Sequence, residues 1–189
     1  GRALLGRLTR EGGADRIVAF SRDEQKRAAL WAEFGWHPAV RVNAGDVRDR
    51  ERLVDLFRGC EVVVHAAARK VVTAHPDEAE EMLKTNVVGS QNVINAAAQA
   101  GVEKVLVVSS DKAVQAENAY GVSKAMMEHL AVNANARTFP VPTAISNCWN
   151  VGITSRPSTV ESSAATSAVS TIRSRGSPRP KPSEATVAN

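Results

Sequence analysis

Short apolar runs alternate with amphipathic stretches along most of the chain. The apolar runs predict β-strands at "RIVAF" (16–20), "AVRVNAGDV" (39–47), "EVVVHAAA" (61–68), "KVLVVSS" (104–110) and the weaker "PTAIS" (142–146). Helical periodicity appears between them, at residues 2–10, 22–35, 49–59, 77–100 with a break near Asn86 and Gly89, and 120–135. Near-continuous apolar strands that alternate with helices predict an α/β fold with a doubly wound parallel sheet.

The composition changes near residue 160. The segment 161–189 is rich in Ser, Thr, Ala and Pro and holds very few large apolar residues. Such a segment buries too little surface to offset its chain entropy, so we expect a disordered tail. The alternative is a basic, partner-binding tail, whose charges would be Arg173, Arg175, Arg179 and Lys181. The chain therefore divides into a domain at 1–146, a short segment at 147–160 and the tail.

Composition and charge narrow the class of protein. Of the 189 residues, 43% are hydrophobic and 23% are charged, which is ordinary for a soluble domain. The net charge of +4 is spread along the chain, so we expect no nucleic-acid partner. No apolar run reaches the ~20 residues of a membrane span. Cys60 and Cys148 have no metal-binding or redox spacing. We expect a cytoplasmic protein without a metal site.

Polar and small residues follow the predicted strands. The strand ends read "FSRDE", "GDV", "HAAARK" and "SSDK". Because parallel strands place their carboxyl ends at one edge of the sheet, where ligands bind in such folds, we expect a binding site there.

Tyr120 and Lys124 form a candidate catalytic pair. Four residues apart on a helix, they share one face. A nearby ammonium favours the phenolate of a tyrosine and makes proton transfer at neutral pH feasible. The alternative is an accidental pair at the start of a helix. The position of Tyr120 and Lys124 after a buried strand that ends in Ser109 and Ser110 favours the catalytic interpretation.

Several segments together carry a resemblance to a known family. They are "FSRDEQK" (20–26), "GDVRD" (45–49), "VVHAAARKVV" (63–72), "KTNVVGSQNVI" (84–94), "GVEKVLVVSSDKAV" (101–114) and "NAYGVSK" (118–124). Their order and spacing resemble the extended short-chain dehydrogenase/reductase superfamily, and more narrowly the inverting UDP-N-acetylglucosamine 4,6-dehydratases and related polysaccharide-biosynthesis dehydratases. The resemblance covers roughly residues 1–136 and implies a Rossmann-like dinucleotide-binding domain.

The resemblance implies an NADP-dependent lyase of surface polysaccharide or glycan biosynthesis. Such an enzyme oxidises C4 of a sugar nucleotide, eliminates water across C5 and C6, and returns the hydride to C6. Ser110 would align the sugar hydroxyl, Tyr120 would be the base, and Lys124 would lower the tyrosine pKa and hold the nicotinamide ribose. Asp111 and Lys112 would act as acid and base in the elimination. The alternative for this second pair is a turn exposed to water.

The resemblance also implies cofactor and substrate contacts. An arginine after the second strand of such folds accepts a 2′-phosphate, so Arg22, with Ser21 before it and Lys26 a turn later, favours NADP over NAD. The alternative is a solvated helix start. The remaining implied cofactor residues are Gly1, Asp46, Val47, Ala66, Ala67 and Ala68. For the three alanines, the alternative is that small residues only pack a helix or strand there.

Lys70 and Asn86 are the implied substrate-binding residues. Exposed lysines are usually only solvated, and Asn86 stands where the family has a structural or proton-relay asparagine. The family also implies a UDP-sugar as partner and is compatible with a homo-oligomer.

The sequence departs from the family at three places. The family begins with a strand and a G-x-x-G-x-x-G turn, of which Gly1 matches only the last glycine, so we expect the sheet to lack its central strand. "QAEN" (115–118) stands where the family usually has Asn-Pro. "CWNVGITSRPSTV" (148–160) matches the next family segment with substitutions and one extra residue. After residue 160 nothing matches, so the sugar-binding lobe is expected to be absent or replaced.

Two other functions stay open on the sequence alone. One is a nucleotide-sugar epimerase or reductase on the same fold. The other is a non-catalytic fragment that binds a dinucleotide weakly, or a partner through its tail. General epimerases of the superfamily usually lack the Asp111-Lys112 pair, which favours the dehydratase.

Overall fold

The computed structural model describes residues 1–70, 77–135, 143–146 and 184–188. The strands are β1 (Arg16–Ser21), β2 (Val40–Ala44), β3 (Val62–His65), β4 (Lys104–Val108), β5 (Thr143–Ser146) and β6 (Glu184–Ala188). The helices are α1 (Arg2–Glu11), α2 (Glu24–Phe34), α3 (Arg50–Phe57), α4 (Glu78–Met82), α5 (Gly89–Ala100) and α6 (Ala119–Ala134). Each helix and strand that the sequence predicts is confirmed, with its ends shifted by a few residues.

The six strands form one parallel sheet in the order β2-β1-β6-β3-β4-β5. Helix α2, the pair α4 and α5, and helix α6 each connect two strands that lie side by side, whereas α3 runs from the edge strand β2 past β1 and β6 to β3. The α/β fold with a doubly wound parallel sheet is therefore confirmed.

Local chemistry explains where the helices begin and end. The carboxylates of Asp23 and Asp49 accept bonds from the backbone N–H groups of Lys26 and Arg52, both at 3.0 Å, and so cap α2 and α3. At the end of α5, Gly101 has a left-handed backbone with φ of 74°, which closes a helix at low cost only for glycine. Among the helices in the described ranges, none is both long and apolar enough to cross a membrane.

The two faces of the sheet bury separate apolar clusters. Residues of β1 alternate between them: Ile17 and Ala19 pack with α1 and α2, whereas Val18 and Phe20 face the larger cluster. The larger cluster includes the fully buried Phe57 of α3 and residues of α5 and α6. Helices therefore cover both faces, and the carboxyl edge of the strands is left for a site.

The predicted break in the long helix at 77–100 is a π-helical segment, Leu83–Val88, between α4 and α5. The π-helical turn buries Thr85 and Asn86. Single π-helical turns inside α-helices are frequent at functional sites because they redirect side chains.

The centre of the sheet differs from the expectation. Residues 184–188, which fall in the segment expected to be a disordered tail, form β6. This strand lies between β1 and β3 and pairs with both, so the sheet has a central strand after all. The physical reason is that two parallel strands flanking a gap offer backbone donors and acceptors that an extended segment can satisfy. Most of the predicted tail and the 147–160 segment lie outside the described residues.

Candidate functional site

A cavity of about 130 Å³ opens at the carboxyl edge of the sheet. Its wall contains the predicted cofactor residues Ser21, Arg22, Lys26, Asp46, Val47, Ala67 and Ala68, together with Phe20, Asp23, Gly45 and Thr85. The strand ends of β1 and β2 form one side, and the residues after β3 with the π-helical turn form the other. This volume suits one part of a dinucleotide, since whole ligand pockets reach about 300 Å³ or more.

Asp46 is the centre of charge in this cavity. Its carboxylate accepts bonds from the backbone N–H of Arg48 at 3.0 Å and from that guanidinium at 2.9 and 3.1 Å. Arg22 lies farther away, with Nη1 3.7 Å from the carboxylate. Burial opposes the ionised form, but the bonds from Arg48 and the charges of Arg48 and Arg22 outweigh it and lower the pKa of Asp46. Arg48 thus holds the carboxylate at shorter distances than Arg22 does, and a cofactor contact of Arg22 stays a prediction.

The loop that follows β1 is held by an arginine that sequence reasoning missed. Arg27 donates from Nη1 to the carbonyl oxygens of Ser21 at 2.9 Å and Arg22 at 3.0 Å. The buried Ser21 hydroxyl accepts a bond from the N–H of Asp23 at 3.2 Å. The only sign of Arg27 in the sequence was its place on the predicted helix, five residues after Arg22.

The loop after β2 is fixed by two further unpredicted residues. Asn92 on α5 donates to the carbonyl oxygens of Val47 at 3.1 Å and Arg48 at 3.2 Å. A Cβ on Gly89 would meet a methyl carbon of Val47 at 2.6 Å, so only glycine permits this approach of α5 to the loop. Both residues lie more than 40 positions from the loop, which is why the local sequence does not reveal them.

The predicted Ser110-Asp111-Lys112 element follows β4 and opens a 3₁₀ turn, Asp111–Ala113. Ser110 is buried and donates to Asp111 at 2.9 Å, while its oxygen accepts from the N–H of Lys112 at 3.3 Å. The bond from Ser110, which outweighs a small effect of burial, lowers the pKa of the Asp111 carboxyl, aided by Lys112. Lys112 Nζ lies 3.8 Å from Asp111, and the two side chains are 64% and 54% exposed.

Tyr120 and Lys124 both lie on α6, as predicted. Tyr120 is half-buried in the first turn of the helix. Lys124 is 4% exposed, and its ammonium donates to the carbonyl oxygen of Val108, at the end of β4, at 2.7 Å. This bond ties the helix that carries the Tyr-Lys pair to the strand that precedes Ser110. The predicted catalytic residues Ser110, Asp111 and Lys112 thus lie at the 3₁₀ turn that follows β4, and Tyr120 and Lys124 lie on α6, which packs against that turn.

Gly121 makes this assembly sterically feasible. A Cβ at this position would lie 2.3 Å from the carbonyl oxygen of Lys112 and 3.2 Å from Ala116. The backbone of the 3₁₀ turn therefore rests directly on the first turn of α6. Asn118 caps the helix by accepting from the N–H of Gly121 at 3.0 Å. The departure from the family at 115–118 thus ends in a helix cap. No pattern in the sequence indicated that a glycine is needed at position 121.

Asn86 links three elements beneath the site. It is 1% exposed, accepts from the N–H of Arg69 at 2.7 Å and donates to the Arg69 carbonyl at 2.9 Å. Its second N–H bonds Ser123 Oγ at 2.9 Å, and Ser123 in turn donates to the Tyr120 carbonyl at 2.8 Å. Of the roles that the resemblance offered, these contacts favour the structural one, and substrate binding by Asn86 stays a prediction. The Arg69 side chain forms a two-bond ion pair with Glu78 at 2.7 and 3.1 Å.

A buried histidine lies next to this network. Ser90 uses its only hydrogen on the Asn86 carbonyl, so His65 Nε2 must donate to Ser90 Oγ, at 2.8 Å. His65 Nδ1 is buried without a hydrogen-bond partner among the described residues. Burial, with the charge of Lys124 as a smaller cause, lowers the pKa of His65 to about 3. The imidazole is therefore neutral at physiological pH.

The other predicted residues lie around this core of the site. Lys70 is exposed and follows β3 at the carboxyl edge. Gly1 caps α1, and neither it nor the half-buried Ala66 belongs to the cavity wall. Within the described ranges, no three His, Cys, Asp or Glu side chains converge as metal ligands.

Comparison with known proteins places this geometry in a family. The model of the family described as "Polysaccharide biosynthesis protein" matches residues 1–156. An inverting UDP-N-acetylglucosamine 4,6-dehydratase from Campylobacter jejuni (serotype O:2) is 41% identical over 121 residues, 64% of this chain and 36% of its own length. A UDP-glucose 4-epimerase from Rickettsia massiliae is 40% identical over 140 residues, 72% of this chain and 40% of its own length.

Solved structures show the same architecture. Pen from Bacillus thuringiensis has a TM-score of 0.70 and 31% identity, with 78% of this chain and 45% of that chain covered. The dTDP-glucose 4,6-dehydratase DesIV from Streptomyces venezuelae, solved with NAD, has a TM-score of 0.66 and 25% identity, covering 90% and 57%. The chain spans less than half the length of the Campylobacter dehydratase and of the Rickettsia epimerase. With its family match, its parallel sheet and its Tyr-Lys helix, the chain belongs to the polysaccharide biosynthesis protein family of extended short-chain dehydrogenases/reductases.

Proposed function

We propose that this chain carries the dinucleotide-binding and catalytic part of an NADP-dependent sugar-nucleotide 4,6-dehydratase that acts on UDP-N-acetylglucosamine. The observation that carries the proposal is the packing of the Ser110-Asp111-Lys112 turn on the first turn of α6, next to Tyr120 and Lys124. One edge of the sheet thereby holds four ionisable or hydroxyl groups besides the proposed base Tyr120. They belong to Ser110, Asp111, Lys112 and Lys124. A simple hydride transfer needs fewer groups than an elimination does.

The chemistry follows from the positions of these groups. A bound nicotinamide would accept a hydride from the sugar and later return it. Tyr120 removes the proton of the C4 hydroxyl. The resulting C4 ketone acidifies the C5 proton. One member of the Asp111-Lys112 pair takes that proton, and the other protonates the C6 hydroxyl, which leaves as water.

The ionisation of Asp111 bears on which member is the acid. The Ser110 bond lowers the pKa of Asp111, so the carboxylate is ionised at neutral pH and is a base in the free chain. To donate a proton, it must lose water or the Ser110 bond when the sugar binds, since desolvation raises the pKa of a carboxyl. We propose that Ser110 turns from Asp111 to the sugar hydroxyl on binding. Hydrogen bonds of catalytic groups often change in this way between the free and the bound enzyme.

The preference for NADP is supported by the charges around the cavity. The residues of its wall fit an adenosine ribose, since Ala67 and Ala68 permit a close backbone approach and Asp46 and Val47 lie opposite them. Arg22 and Lys26 bring two positive charges to the same wall, while Arg48 already holds Asp46. Arg22→Ala is expected to weaken NADP binding at least tenfold relative to NAD. The matched control, Arg58→Ala at the amino edge of β3, is expected to leave the ratio unchanged. An unchanged ratio in Arg22→Ala would remove Arg22 from the selection of NADP over NAD.

The activity is tested on the whole 189-residue chain. Incubation with NADP and UDP-N-acetylglucosamine is expected to give a 4-keto-6-deoxy product, followed by mass spectrometry as a loss of one water. A thermal shift with NADP reports cofactor binding separately, because ligand stabilisation grows with the logarithm of concentration over Kd. Unchanged substrate together with intact cofactor binding overturns the dehydratase proposal. No shift at millimolar NADP identifies a non-catalytic fragment.

A nucleotide-sugar epimerase is the second candidate, because UDP-glucose 4-epimerases match a longer stretch of the chain than the dehydratases do. One variant tests the base that both candidates share, and a second variant separates the candidates. Tyr120→Phe removes the shared base and abolishes either activity. Asp111→Asn combined with Lys112→Gln abolishes dehydration but leaves epimerisation in place.

A homo-oligomer is the proposed assembly. Large apolar side chains are exposed on the π-helical turn and on α6, namely Leu83, Val88, Val122 and Met126. These two elements pack against each other. A second copy that covers this face would double the mass measured by light scattering, and Met126→Lys is expected to restore the monomer.

A further inference from the structure

His65 and Lys124 are two buried basic side chains at the ends of neighbouring strands. His65 is the last residue of β3 and is paired in register with Val107 of β4, and the Lys124 ammonium donates to the carbonyl oxygen of the next residue, Val108, at 2.7 Å. Val63 packs into the larger apolar cluster, so His65, two residues later, projects to the same face of the sheet, which α6 covers. The exposed fractions are 1% for His65 and 4% for Lys124. The imidazole and the ammonium are therefore neighbours away from water.

The hydrogen bonds around His65 fix its tautomer. Ser90 is fully buried, and its hydroxyl hydrogen is used on the Asn86 carbonyl oxygen, at 2.5 Å. The contact of 2.8 Å between Ser90 Oγ and His65 Nε2 therefore requires a hydrogen on Nε2. Because a neutral imidazole carries only one N–H, Nδ1 is left with a lone pair. Ser90 thus decides which nitrogen of the ring is the negative end of its dipole.

The acceptor nitrogen of His65 has no hydrogen-bond partner that accounts for it. Nδ1 is buried, and no group in the described ranges donates to it. An acceptor left unpaired away from water costs free energy, so its presence calls for an explanation. The nearby cation provides one. Among the described side chains, Lys124 is the charged group that acts on the imidazole, where its charge opposes protonation. A lone pair next to an ammonium is an attractive arrangement.

The other states of the ring would repel the ammonium. A hydrogen on Nδ1, in the second neutral tautomer or in the doubly protonated ring, would place an N–H where the lone pair now lies. Positive groups that lie close together in a low-dielectric interior repel each other strongly. The tautomer that Ser90 selects is therefore the ring state that is compatible with a charged Lys124 at this place.

We propose that His65 is a positioning residue for the Tyr120-Lys124 pair: its Nδ1 lone pair, oriented by Ser90, holds the Lys124 ammonium at the carboxyl edge of the sheet. With 1% of its surface exposed, His65 acts through Lys124 and not on a ligand directly. The inference rests on the proposed function, because it takes Lys124 as the residue that holds the ribose next to the nicotinamide.

Nitrogen NMR of the imidazole tests the contact without any ligand. The chain has four histidines, and His65→Gln identifies the His65 signals by their loss. In the unaltered chain we expect a hydrogen on Nε2 and none on Nδ1. Lys124→Met keeps the length of the side chain and removes its charge, so the Nδ1 signal is expected to move toward that of an unprotonated nitrogen without a neighbouring cation. The matched control is Lys112→Met, an exposed lysine of the same segment, which should leave the signal in place.

Two results of this experiment overturn the proposal. One is an equal shift, or no shift, of the Nδ1 signal in Lys124→Met and Lys112→Met. The other is a hydrogen on Nδ1 in the unaltered chain, and this result is available even where Lys124→Met does not fold.

Two conservative variants separate positioning of Lys124 from a purely structural role of His65. The Oδ1 of asparagine and the Nδ1 of histidine are both bonded to Cγ, whereas the amide nitrogen of glutamine lies one atom farther out, as Nε2 does. His65→Asn therefore keeps an acceptor for Lys124 and loses the bond to Ser90, and His65→Gln does the reverse.

The order of NADP affinities in these two variants is the result that decides. We expect His65→Gln to weaken NADP binding about tenfold, as the loss of one hydrogen bond to a charged group does, and His65→Asn to bind NADP nearly as the unaltered chain does. Calorimetric titration of the full chain measures both, and urea midpoints report the stability of each variant separately. Any order other than a greater loss of affinity in His65→Gln overturns the proposal.

A failure of the proposed function has a different signature. If the unaltered chain binds no NADP, or binds NADP without forming the 4-keto-6-deoxy product, the dehydratase proposal falls. The nitrogen signals of His65 need neither cofactor nor substrate, so they still decide whether the imidazole holds Lys124.

Discussion

Lys124 and Lys112 belong to one segment of the sequence but to opposite environments. Lys124 is 4% exposed and bonded to the Val108 carbonyl, and below it His65, Asn86, Ser90 and Ser123 form a network of buried hydrogen bonds. We refer to these five residues as the buried network. Lys112 is 64% exposed and lies with Asp111 on the 3₁₀ turn, which we refer to as the exposed turn.

The two environments point to different roles for the buried network and the exposed turn. In the buried network, internal partners fix the polar groups in place before any ligand arrives, with Nδ1 of His65 as the exception, because an unbonded polar group is costly away from water. On the exposed turn, water competes with every contact, so the charges are free to rearrange around a substrate. Substitutions in the network should therefore affect stability first, and substitutions on the turn should affect chemistry alone.

Asn86→Ala is expected to have the largest effect on stability. The change leaves the backbone of Arg69 and the Ser123 hydroxyl without their partner, at a cost of about 3 kcal/mol in the free energy of unfolding. Urea denaturation followed by circular dichroism measures it. The control Asn133→Ala, at an exposed position of α6, is expected to stay within about 0.5 kcal/mol of the unaltered chain. A similar loss in both variants would contradict the special position of Asn86.

Gly121→Ala tests the contact between the two parts. The new Cβ would lie 2.3 Å from the Lys112 carbonyl, so the exposed turn must move away from α6. We expect a loss of about 1–3 kcal/mol in the free energy of unfolding. The matched control is Gly6→Ala in α1, where the Cβ would meet its first neighbour at 3.4 Å. There, alanine is expected to be neutral or to stabilise by up to about 1 kcal/mol, since it favours helix more than glycine does.

His65 should make stability depend on pH. Its pKa is about 3 in the folded chain against an ordinary value of 6.5, so the unfolded chain binds more protons between these values. Acidification from pH 6.5 downward is therefore expected to lower the free energy of unfolding by roughly 1 kcal/mol per pH unit. His65→Gln should flatten this dependence in urea titrations at pH 7.5, 6.5, 5.5 and 4.5. Parallel curves for the two proteins would contradict the prediction, and the exposed His129→Gln is expected to keep the original slope.

Lys112→Gln should have the smallest effect on stability. The side chain is exposed and its ion pair with Asp111 is long, so the midpoint of urea unfolding is expected to stay unchanged. The same variant is expected to lose dehydratase activity, if the exposed turn provides the acid and base of the elimination. Retained activity would remove Lys112 from the mechanism.

The sequence predicted the fold more completely than it predicted the candidate site. Periodicity located each of the five strands up to residue 146 and the helices between them, because apolar runs of period 2 and 3.6 report local structure. The Asp-Lys and Tyr-Lys pairs predicted the candidate catalytic segment, since they lie close together in the chain. Arg27, Asn92 and Gly121 were not found, because their partners lie in other elements or depend on a steric approach that periodicity does not encode.

The end of the chain shows most clearly what the sequence alone did not predict. By itself the sequence determined the order of strands and helices up to residue 146, and it predicted the edge of the sheet for a binding site and the residues of the candidate catalytic segment. Only the tertiary structure decided that residues 184–188 form the central strand, that Asn86 is saturated by internal bonds, and that Asp46 is already neutralised by Arg48. The physical reason is that five residues are too few for the strand preference of Thr186 and Val187 to fix a conformation on its own. Its conformation is set by the unpaired backbone groups of β1 and β3, which exist only after the rest of the sheet has formed.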